Sequence, residues 1–235
     1  MDKGVLLVIP VYNEDKAVKK VILEWIGALS SLGADYKILA LDDGSLDKSG
    51  AVLDSLSKEY SQLGVIHKLN EGHGKTILRG YALAIKENYE WVFQTDSDGQ
   101  FFAKDFISLW NLREKADFIL GYRFQRKDPL GRLAITRILK YTIFVLWGIL
   151  IRDANSPFRL MRAHLLSECL KDIPEDAFAP NIFLSILAFK RAKGNFLQVK
   201  VRHKIRESGE SSIVRLKLFK SVIRSFYELV KFRVK

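Results

Sequence analysis

Short apolar runs alternate with helical patterns through the first 120 residues, and this alternation constrains the fold more than any other feature of the chain. Five runs have the length and character of buried strands: Gly4–Ile9, Tyr36–Leu41, Gly64–Ile66, Glu90–Gln94 and Phe118–Leu120. Four segments between them space their apolar residues as a helix does: Asp15–Leu32, Asp47–Tyr60, Lys75–Glu87 and Phe106–Glu114. Strands that alternate with helices in this way predict an α/β fold with a mostly parallel central sheet flanked by helices.

The second half of the chain has a different pattern, because its long apolar stretches also carry basic residues. Arg132–Arg152 is apolar along most of its length, with basic residues at both ends. Pro180–Lys193 has the pattern of a helix, and Phe196–Val201 that of one more strand. Ile213–Val234 places its apolar residues near one helical face, and its basic residues lie mostly elsewhere. This last pattern is typical of an amphipathic helix.

Charge is distributed unevenly along a chain whose net charge is +11. The first 100 residues carry 11 Lys and Arg against 15 Asp and Glu, and the remaining residues carry 27 against 12. The basic part indicates nucleic acid, an anionic membrane surface or a phosphorylated substrate as a partner. It contains no recognisable RNA- or DNA-binding module, so we expect no nucleic-acid partner. A solvated basic face without a specific partner is the alternative.

Membrane insertion and disulfide bonding are not expected from this sequence. The longest apolar run, Tyr141–Ile151, has 11 residues, whereas a helix that spans a bilayer needs about 20. The first residues, MDKGVLLVIPVYNE, contain too short an apolar stretch for a signal peptide and no small-residue cleavage site. Cys169 is the single cysteine, which rules out an intrachain disulfide and a zinc site built on several cysteines.

The segment Asp96-Ser97-Asp98-Gly99-Gln100 directly follows a predicted strand and is the strongest candidate site. In an extended chain, side chains two residues apart point the same way, so Asp96, Asp98 and Gln100 are expected to face one cation. Their oxygens suit Mg²⁺ or Mn²⁺, which in nucleotide sites use one or two carboxylates together with substrate phosphates. The alternative interpretation is a polar turn whose aspartates are solvated.

Polar loops also follow the other predicted strands, and ligands of parallel sheets bind outside the carboxyl ends of the strands. Three such loops are Pro10–Glu14, Asp42–Ser45 and Asn70–Lys75. The third has two glycines before a helix, which lets backbone N–H groups approach a ligand, although a plain strand-to-helix turn is the interpretation that this loop favours by itself. Arg123 and Arg206 also lie in or beside polar loops, and the arginine fork is suited to binding phosphate.

Seven of these motifs, taken in order, resemble family 2 glycosyltransferases. The matching segments are VIPVYNE, LDDGS, NEGHGK, TDSDGQ, GYR with RKDP, SPFRLMR and GESS, and they extend over residues 4–212. Within that family they are similar to polyprenyl-phosphate sugar transferases, including dolichyl-phosphate mannosyltransferase-like enzymes. The resemblance implies a GT-A nucleotide-diphosphosugar transferase fold for residues 1–212. We expect a separate basic amphipathic helix over residues 213–235, associated with the membrane surface.

The resemblance also implies roles for individual residues. Positions that match the nucleoside site are Pro10, Tyr12, Glu14 and Asp43. Asp96, Asp98 and Gln100 match the metal site, and together with Ser97 they match positions around the donor diphosphate. Cationic positions around the donor and acceptor phosphates are Arg123, Arg132 and Arg206, which with Asp98 form the expected catalytic set.

Two departures from the family pattern are visible in the second half of the chain. Many relatives carry a lysine after the loop serine, where this chain has Ser212. Many also carry a glutamate early in the helix that corresponds to Pro180–Lys193, where the first residues here, PNIFLS, contain no carboxylate. One phosphate contact and one acid of the family are therefore expected to be missing.

The implied function is inverting, metal-dependent transfer of a mannose- or glucose-type sugar from a GDP- or UDP-linked donor to a polyprenyl phosphate. A phosphate acceptor is already ionised at neutral pH, so it needs no general base, and the motifs contain no obvious one. Such an enzyme is expected to sit in the cytoplasm as a peripheral protein on the cytoplasmic face of the membrane. The alternatives are transfer to a glycan hydroxyl and a non-enzymatic domain that docks on anionic membrane. No particular oligomeric state is predicted.

Overall fold

The protein is an α/β sandwich built on one seven-stranded sheet, and the computed structural model describes residues 3–124, 130–204, 224 and 226–233. The strands are β1 (Lys3–Val11), β2 (Tyr36–Asp42), β3 (Leu63–His67), β4 (Tyr89–Gln94), β5 (Phe118–Phe124), β6 (Arg159–Arg162) and β7 (Phe196–Arg202). The helices are α1 (Val18–Ser30), α2 (Ser49–Glu59), α3 (His73–Lys86), α4 (Phe106–Trp110), α5 (Leu130–Trp147), α6 (Ala163–Leu170) and α7 (Pro180–Arg191). Two short 3₁₀ turns, Ala103–Asp105 and Arg113–Lys115, flank α4.

The sheet has the order β3-β2-β1-β4-β6-β5-β7, and all neighbours are parallel except those of β6. β6 runs antiparallel to both β4 and β5. The predicted α/β class and mostly parallel sheet are therefore confirmed. Strands β1 to β4 run in the same direction, so their carboxyl ends lie along one edge of the sheet.

Alternate residues of the strands supply two hydrophobic layers, one on each face of the sheet. Leu6 and Val8 of β1 pack with α3, α6 and α7, whereas Val5, Leu7 and Ile9 pack with α1, α2 and α4. All five side chains are buried, because β1 is central and covered by helices on both faces. Burial of this strand on both faces explains why its sequence is continuously apolar.

The sequence missed β6 and α6, and it placed some boundaries differently. β6 reads RLMR and contains the fully buried Arg159, so its sequence lacks the apolar run that marks a core strand. The helix predicted over Phe106–Glu114 ends at Trp110 and is followed by a 3₁₀ turn. The helix predicted from Asp15 begins at Val18, because the residues before it form the turn that follows β1.

The described end of the chain, residues 226–233, is helical and packs on the same unit. Leu229 is fully buried in the hydrophobic layer that contains α3 and α7. The ring of Phe232 lies 4.8 Å from that of Phe183 on α7, and the Arg233 guanidinium donates to the Leu146 carbonyl of α5. The separate helix predicted over residues 213–235 therefore has its last part docked on the domain, while residues 213–223 lie outside the described part. Within the described residues, no helix combines the length and hydropathy needed to cross a membrane.

Gly80 sets how closely α3 approaches the sheet. A Cβ atom at this position would collide with Val8 Cγ1 and would lie 3.1 Å from Leu41 Cδ1. Both of these residues are fully buried strand residues, so neither can move aside. Gly27 on α1 provides a contrast, because a Cβ there would meet no atom within 4 Å.

We predict that Gly80→Ala lowers the free energy of unfolding relative to Gly27→Ala by about 1–3 kcal/mol, the cost typical of overpacking a core. Both changes replace a helical glycine with alanine and gain the same helix propensity of about 1 kcal/mol. The difference between the two variants therefore isolates the collision with Val8. Urea denaturation measures this difference in the free energy of unfolding. Equal midpoints for the two variants would show that α3 can accommodate a methyl group between itself and the sheet.

Candidate active site

Polar loops follow β1, β2, β3 and β4 at the shared carboxyl edge of the sheet, as the sequence predicts. β2 ends at Asp42, and β4 leads directly into Thr95 and Asp96. The loop after β3 ends at Gly72, which has a φ of +91°, and α3 begins at the next residue. The edge thus collects carboxylates, amides and the first backbone N–H groups of α3, which is suitable for binding an anion together with a cation.

The segment after β4 is bent rather than extended, which corrects the geometric argument made for it. Residues 97–99 form a bend, and Gly99 has a φ of +71°. Asp98 Oδ1 accepts a hydrogen bond from the Gln100 backbone N–H at 3.0 Å, and the Gln100 side-chain amide donates to the Lys204 carbonyl at 3.1 Å. The alternation of side chains in an extended strand therefore does not apply to this segment, and it does not by itself direct the oxygens of Asp96, Asp98 and Gln100 to one point. Ser97 is buried in the same turn.

Asp96 carries the feature most suited to a cation. Its Oδ1 atom is buried and accepts no hydrogen bond, and Gln94 Nε2 and Thr95 Oγ1 directly before it are also buried without partners. A buried polar atom without a partner is costly, so such atoms gather where a ligand completes them. In the described residues no group of three or more His, Cys, Asp or Glu side chains is placed to hold a metal. The acceptor that the described structure leaves for a cation is Asp96 Oδ1, whereas Asp98 Oδ1 already accepts the Gln100 N–H.

His73 at the start of α3 lies beside this carboxylate. Its Nε2 atom is 3.8 Å from Asp96 Oδ1, and its side chain is largely exposed. The fold topology brings His73 and Asp96 together, because the loop before α3 and the end of β4 lie at the same edge of the sheet. A small recess between α1 and the loop after β4 is lined in part by lysine side chains. It is lined by Lys16, Lys20 and Lys204 together with Asp98 and Gly99.

The loops after β1 and β2 form one hydrogen-bonded unit. Ser45 Oγ accepts from the Asn13 N–H at 3.0 Å, and Asn13 Oδ1 accepts from the Leu46 N–H at 2.8 Å. Ser49 Oγ at the start of α2 accepts from the Glu14 N–H at 2.7 Å. The structure thus brings together the segments that contain the predicted nucleoside residues. Pro10 is buried within β1, Tyr12 is exposed, and Glu14 is half-buried.

Asp43 is buried and holds the next loop along the edge. Its carboxylate pairs with the buried Lys68 ammonium and accepts the backbone N–H groups of Glu71 at 2.9 Å and Gly72 at 3.0 Å. Asp43 therefore anchors the turn that leads into α3. The predicted contact between Asp43 and a nucleoside would use the remaining acceptor capacity of this carboxylate.

Of the three predicted arginines, Arg123 alone has a described side chain, and it is committed to an ion pair. Its Nε and Nη2 atoms donate to Asp153 at 2.7 and 2.9 Å in a bidentate arrangement. Asp153 precedes the SPFR segment and was not singled out from the sequence. Arg132 lies near the start of α5, but its side chain and the whole of Arg206 lie outside the described residues.

A buried arginine on β6 interacts electrostatically with Asp96. The sequence did not indicate that this arginine is buried. Arg159 on β6 is fully buried and donates to the carbonyls of Ser156, Asn181 and Ala154 and to the Ser185 hydroxyl. Burial lowers the pKa of Arg159, and the carboxylates of Asp153 and Asp96 act in the opposite direction. Early in α7, the Asn181 carbonyl and the Ser185 hydroxyl supply neutral acceptors to this charge.

Solved structures with the same fold are found among glycosyltransferases. Glucosyl-3-phosphoglycerate synthase from Mycobacterium tuberculosis with phosphoglyceric acid superposes with a TM-score of 0.72 at 17% identity. The same synthase with Mn²⁺, UDP-glucose and phosphoglyceric acid gives a TM-score of 0.71 at 16% identity. Each comparison covers 98% of this chain and 80% of the synthase. Identity this low shows the fold alone, and it confirms the predicted GT-A architecture.

Curated relatives are similar over nearly the whole chain. Undecaprenyl-phosphate 4-deoxy-4-formamido-L-arabinose transferase from Photorhabdus laumondii is 26% identical over 231 residues, which cover 97% of this chain and 67% of the relative. The transferase of the same name from an Enterobacter species is 28% identical over 229 residues, with coverages of 96% and 66%. This chain thus spans about two thirds of the length of these relatives.

A family model supplies the assignment that these similarities suggest. The model described as glycosyl transferase family 2 matches residues 6–170, which is more than half of the chain. The matched range contains most of β1, all of β2 to β6 and the Asp96 segment. The chain therefore belongs to glycosyl transferase family 2, and it is a glycosyltransferase with a GT-A fold.

Proposed function

We propose that this protein transfers a sugar from a nucleotide-sugar donor to a polyprenyl phosphate, with inversion and with the help of Mg²⁺ or Mn²⁺. The observation that carries the proposal is the buried, unpartnered Oδ1 of Asp96 at the carboxyl end of β4. It lies at the edge where the loops after β1 and β2 are joined into one unit. A nucleotide-sugar donor would use both features. Its diphosphate would bind a cation held by Asp96, and its nucleoside would bind the loops after β1 and β2.

The nature of the donor is supported by charge and by the comparisons. Lys16, Lys20 and Lys204 line the recess beside Asp98 and outnumber the two carboxylates of Asp98 and Glu24 in the same lining, which favours an anionic ligand there. A synthase with this fold has been solved in complex with Mn²⁺, UDP-glucose and phosphoglyceric acid. We infer a UDP- or GDP-linked donor with a mannose- or glucose-type sugar. Asp96, Asp98 and Gln100 would hold the cation, which neutralises charge on the departing diphosphate.

The acceptor is inferred from the acid–base groups around the site. Asp153 is already paired with Arg123, and His67 lies between two carboxylates, which leaves His73 beside Asp96 as the described side chain best placed to act as a base. A lipid phosphate needs no base, since its oxygen is ionised before it attacks the anomeric carbon. The names of the curated relatives specify undecaprenyl phosphate. An in-line attack by such an oxygen inverts the anomeric centre.

An exposed apolar face on α5 supports binding at a membrane surface. Ile138, Tyr141, Phe144 and Val145 are each at least half exposed, and Arg137 on the same helix is also exposed. Tyr227 and Val230 on the helical segment 226–233 are exposed as well. Aromatic and aliphatic side chains beside basic residues are typical of helices that lie in the lipid headgroup region. We infer peripheral attachment at the cytoplasmic face, where the lipid phosphate presents its reactive end.

We predict that Asp96→Asn abolishes Mn²⁺ binding and lowers turnover by about 10²–10³-fold, as expected when one group that stabilises transition-state charge is removed. The change keeps the shape of the side chain and removes its charge. Calorimetric titration with Mn²⁺ measures binding, and product formation measures turnover, with excess chelator as a second arm. Asp172→Asn, at an exposed acid paired with Arg191, is the matched control and should behave as wild type. Full turnover of Asp96→Asn in chelator would reject the cation site.

We predict that product forms with a short polyprenyl phosphate and not with the corresponding free alcohol. The phosphate acts as an ionised nucleophile, whereas the alcohol needs a base to remove its proton. A panel of UDP- and GDP-sugars with each acceptor, analysed by mass spectrometry, tests this. Transfer to soluble glycans without any lipid product would favour a hydroxyl acceptor, and His73 beside Asp96 would then be the first candidate base.

We predict that Val145→Glu weakens binding to anionic vesicles about tenfold, because it places a charge on the most exposed residue of the apolar face of α5. Cosedimentation with phosphatidylglycerol vesicles at low and high salt measures the effect. Ser55→Glu adds the same charge on α2 and should leave binding unchanged. Point variants suit this test better than truncation, since removing residues 226–233 would delete Leu229 and expose the hydrophobic residues against which it packs. Equal sedimentation of both variants would reject α5 as the membrane face.

A further inference from the structure

His67 at the end of β3 lies between two carboxylates outside the site described above. Its Nδ1 atom is 2.8 Å from Asp42 Oδ2, and its Nε2 atom is 2.9 Å from Asp54 Oδ1. Asp42 ends the neighbouring strand and is the Cα partner of His67 in the β2–β3 ladder, whereas Asp54 lies on α2. These contacts tie the end of β2 to the helix that follows it.

The inner carboxylate of this cluster supports the donor loops directly. Asp42 Oδ1 accepts the Ser45 N–H at 3.0 Å, and Ser45 Oγ in turn accepts the Asn13 N–H. Asn13 lies between Tyr12 and Glu14, two of the residues assigned to the nucleoside pocket. A continuous chain of hydrogen bonds therefore runs from the imidazole through Asp42 and Ser45 to the loop after β1.

Packing leaves little freedom for this chain to shift. The Asp42 side chain is 7% exposed, and a Cβ at Gly50 would lie 3.0 Å from Asp42 Oδ2 and 3.4 Å from the His67 Cε1 atom. The first turn of α2 thus presses against the cluster. The His67 side chain itself is 45% exposed, so it exchanges protons freely with water.

We propose that His67 is a positioning residue for the donor site, which in its protonated form holds Asp42 and Asp54 together and so keeps the loops after β1 and β2 in their binding arrangement. This inference rests on the proposed nucleotide-sugar function. The imidazolium donates one N–H to each carboxylate. The neutral ring has a single N–H, so it can satisfy only one carboxylate and turns a lone pair toward the other.

The direction of the pH dependence follows from the contacts. The titratable groups that contact the ring are Asp54 on α2 and Asp42 on β2, and their hydrogen bonds raise the pKa of His67 above its ordinary 6.5. Burial raises the pKa of Asp42, but hydrogen bonds from Ser45 and His67 outweigh it and leave that pKa lowered. Asp42 is therefore ionised throughout the neutral range. The organising contact is fully present below pH 6.5 and is lost as the pH rises through the raised pKa of His67.

Nucleotide binding across a pH series tests the proposal without requiring turnover. The dissociation constants of UDP and GDP with Mn²⁺ are measured by calorimetry from pH 5.5 to 9.0 on the full chain. We expect the wild-type constant for the preferred nucleotide to rise about three- to tenfold across the His67 titration. His67→Ala should bind weakly at every pH, with its constant close to the alkaline wild-type value.

Two further variants separate a positioning role from a merely structural one. His67→Arg keeps a permanent cation between the carboxylates, so it should retain tight binding with no pH dependence. Asp54→Asn should shift the midpoint of the wild-type profile to lower pH, because it removes the largest contribution to the raised pKa. Glu59→Gln makes the same charge change on α2 without contacting His67 and should reproduce the wild-type profile.

The outcomes distinguish this proposal from the proposed function. A profile for His67→Arg or Asp54→Asn that coincides with that of the wild type would overturn the role of His67. Nucleotide binding that follows the expected profiles without any transfer to polyprenyl phosphate would support His67 and reject only the acceptor. Failure of the wild type to bind either nucleotide with Mn²⁺ would overturn both.

Discussion

The parallel pairing of β1 with both β2 and β4 is the constraint on which the site depends. β1 is covered on both faces, and its register with its neighbours places Val11 beside Asp42 and Val8 beside Gln94. The Asp96 segment and the loops that contain the predicted nucleoside residues each follow one of these strands. A slip of register by one residue would turn the apolar side chains of β1 to the wrong faces, so core packing also fixes the relative heights of the loops.

Ion pairs between the ends of β2 and β3 further fix the loops that the sheet positions. The consecutive residues Asp42 and Asp43 at the end of β2 meet the consecutive residues His67 and Lys68 at the end of β3. The side chains of Asp43 and Lys68 are both nearly inaccessible to water, and removal of Lys68 would leave the buried Asp43 carboxylate without its cation, whereas Lys68 also contacts Glu71 at 3.1 Å. Such pairs add little net stability, but they favour one loop geometry strongly over others. The two aspartates consequently organise opposite loops, the first toward β1 and the second toward α3.

The sequence was sufficient to predict the strands and helices of the first 120 residues, because their periodicity and turn residues are local signals. It also placed the Asp96 segment at the correct edge of the sheet. It could not predict β6, because the acceptors that make a buried Arg159 tolerable come from the 154–156 turn and from α7. The Arg123–Asp153 and Lys68–Asp43 pairs join residues 30 and 25 positions apart, so no local pattern reveals them. The bend at residues 97–99 similarly overrode an alternation that holds only in extended chain.

The insertion of β6 between β4 and β5 has a consequence for how the chain folds. The four-stranded unit β3-β2-β1-β4 needs only residues 3–94 and consists of βαβ units, of which the β3–α3–β4 crossover passes over β2 and β1. β5 and β7 have no edge of that unit to join until β6 has been made, about 65 residues after β4. During synthesis the first unit can therefore collapse while the edge of β4 remains open, and that edge is a site for misassociation between nascent chains. The high contact order of the second half then sets the pace at which the sheet closes.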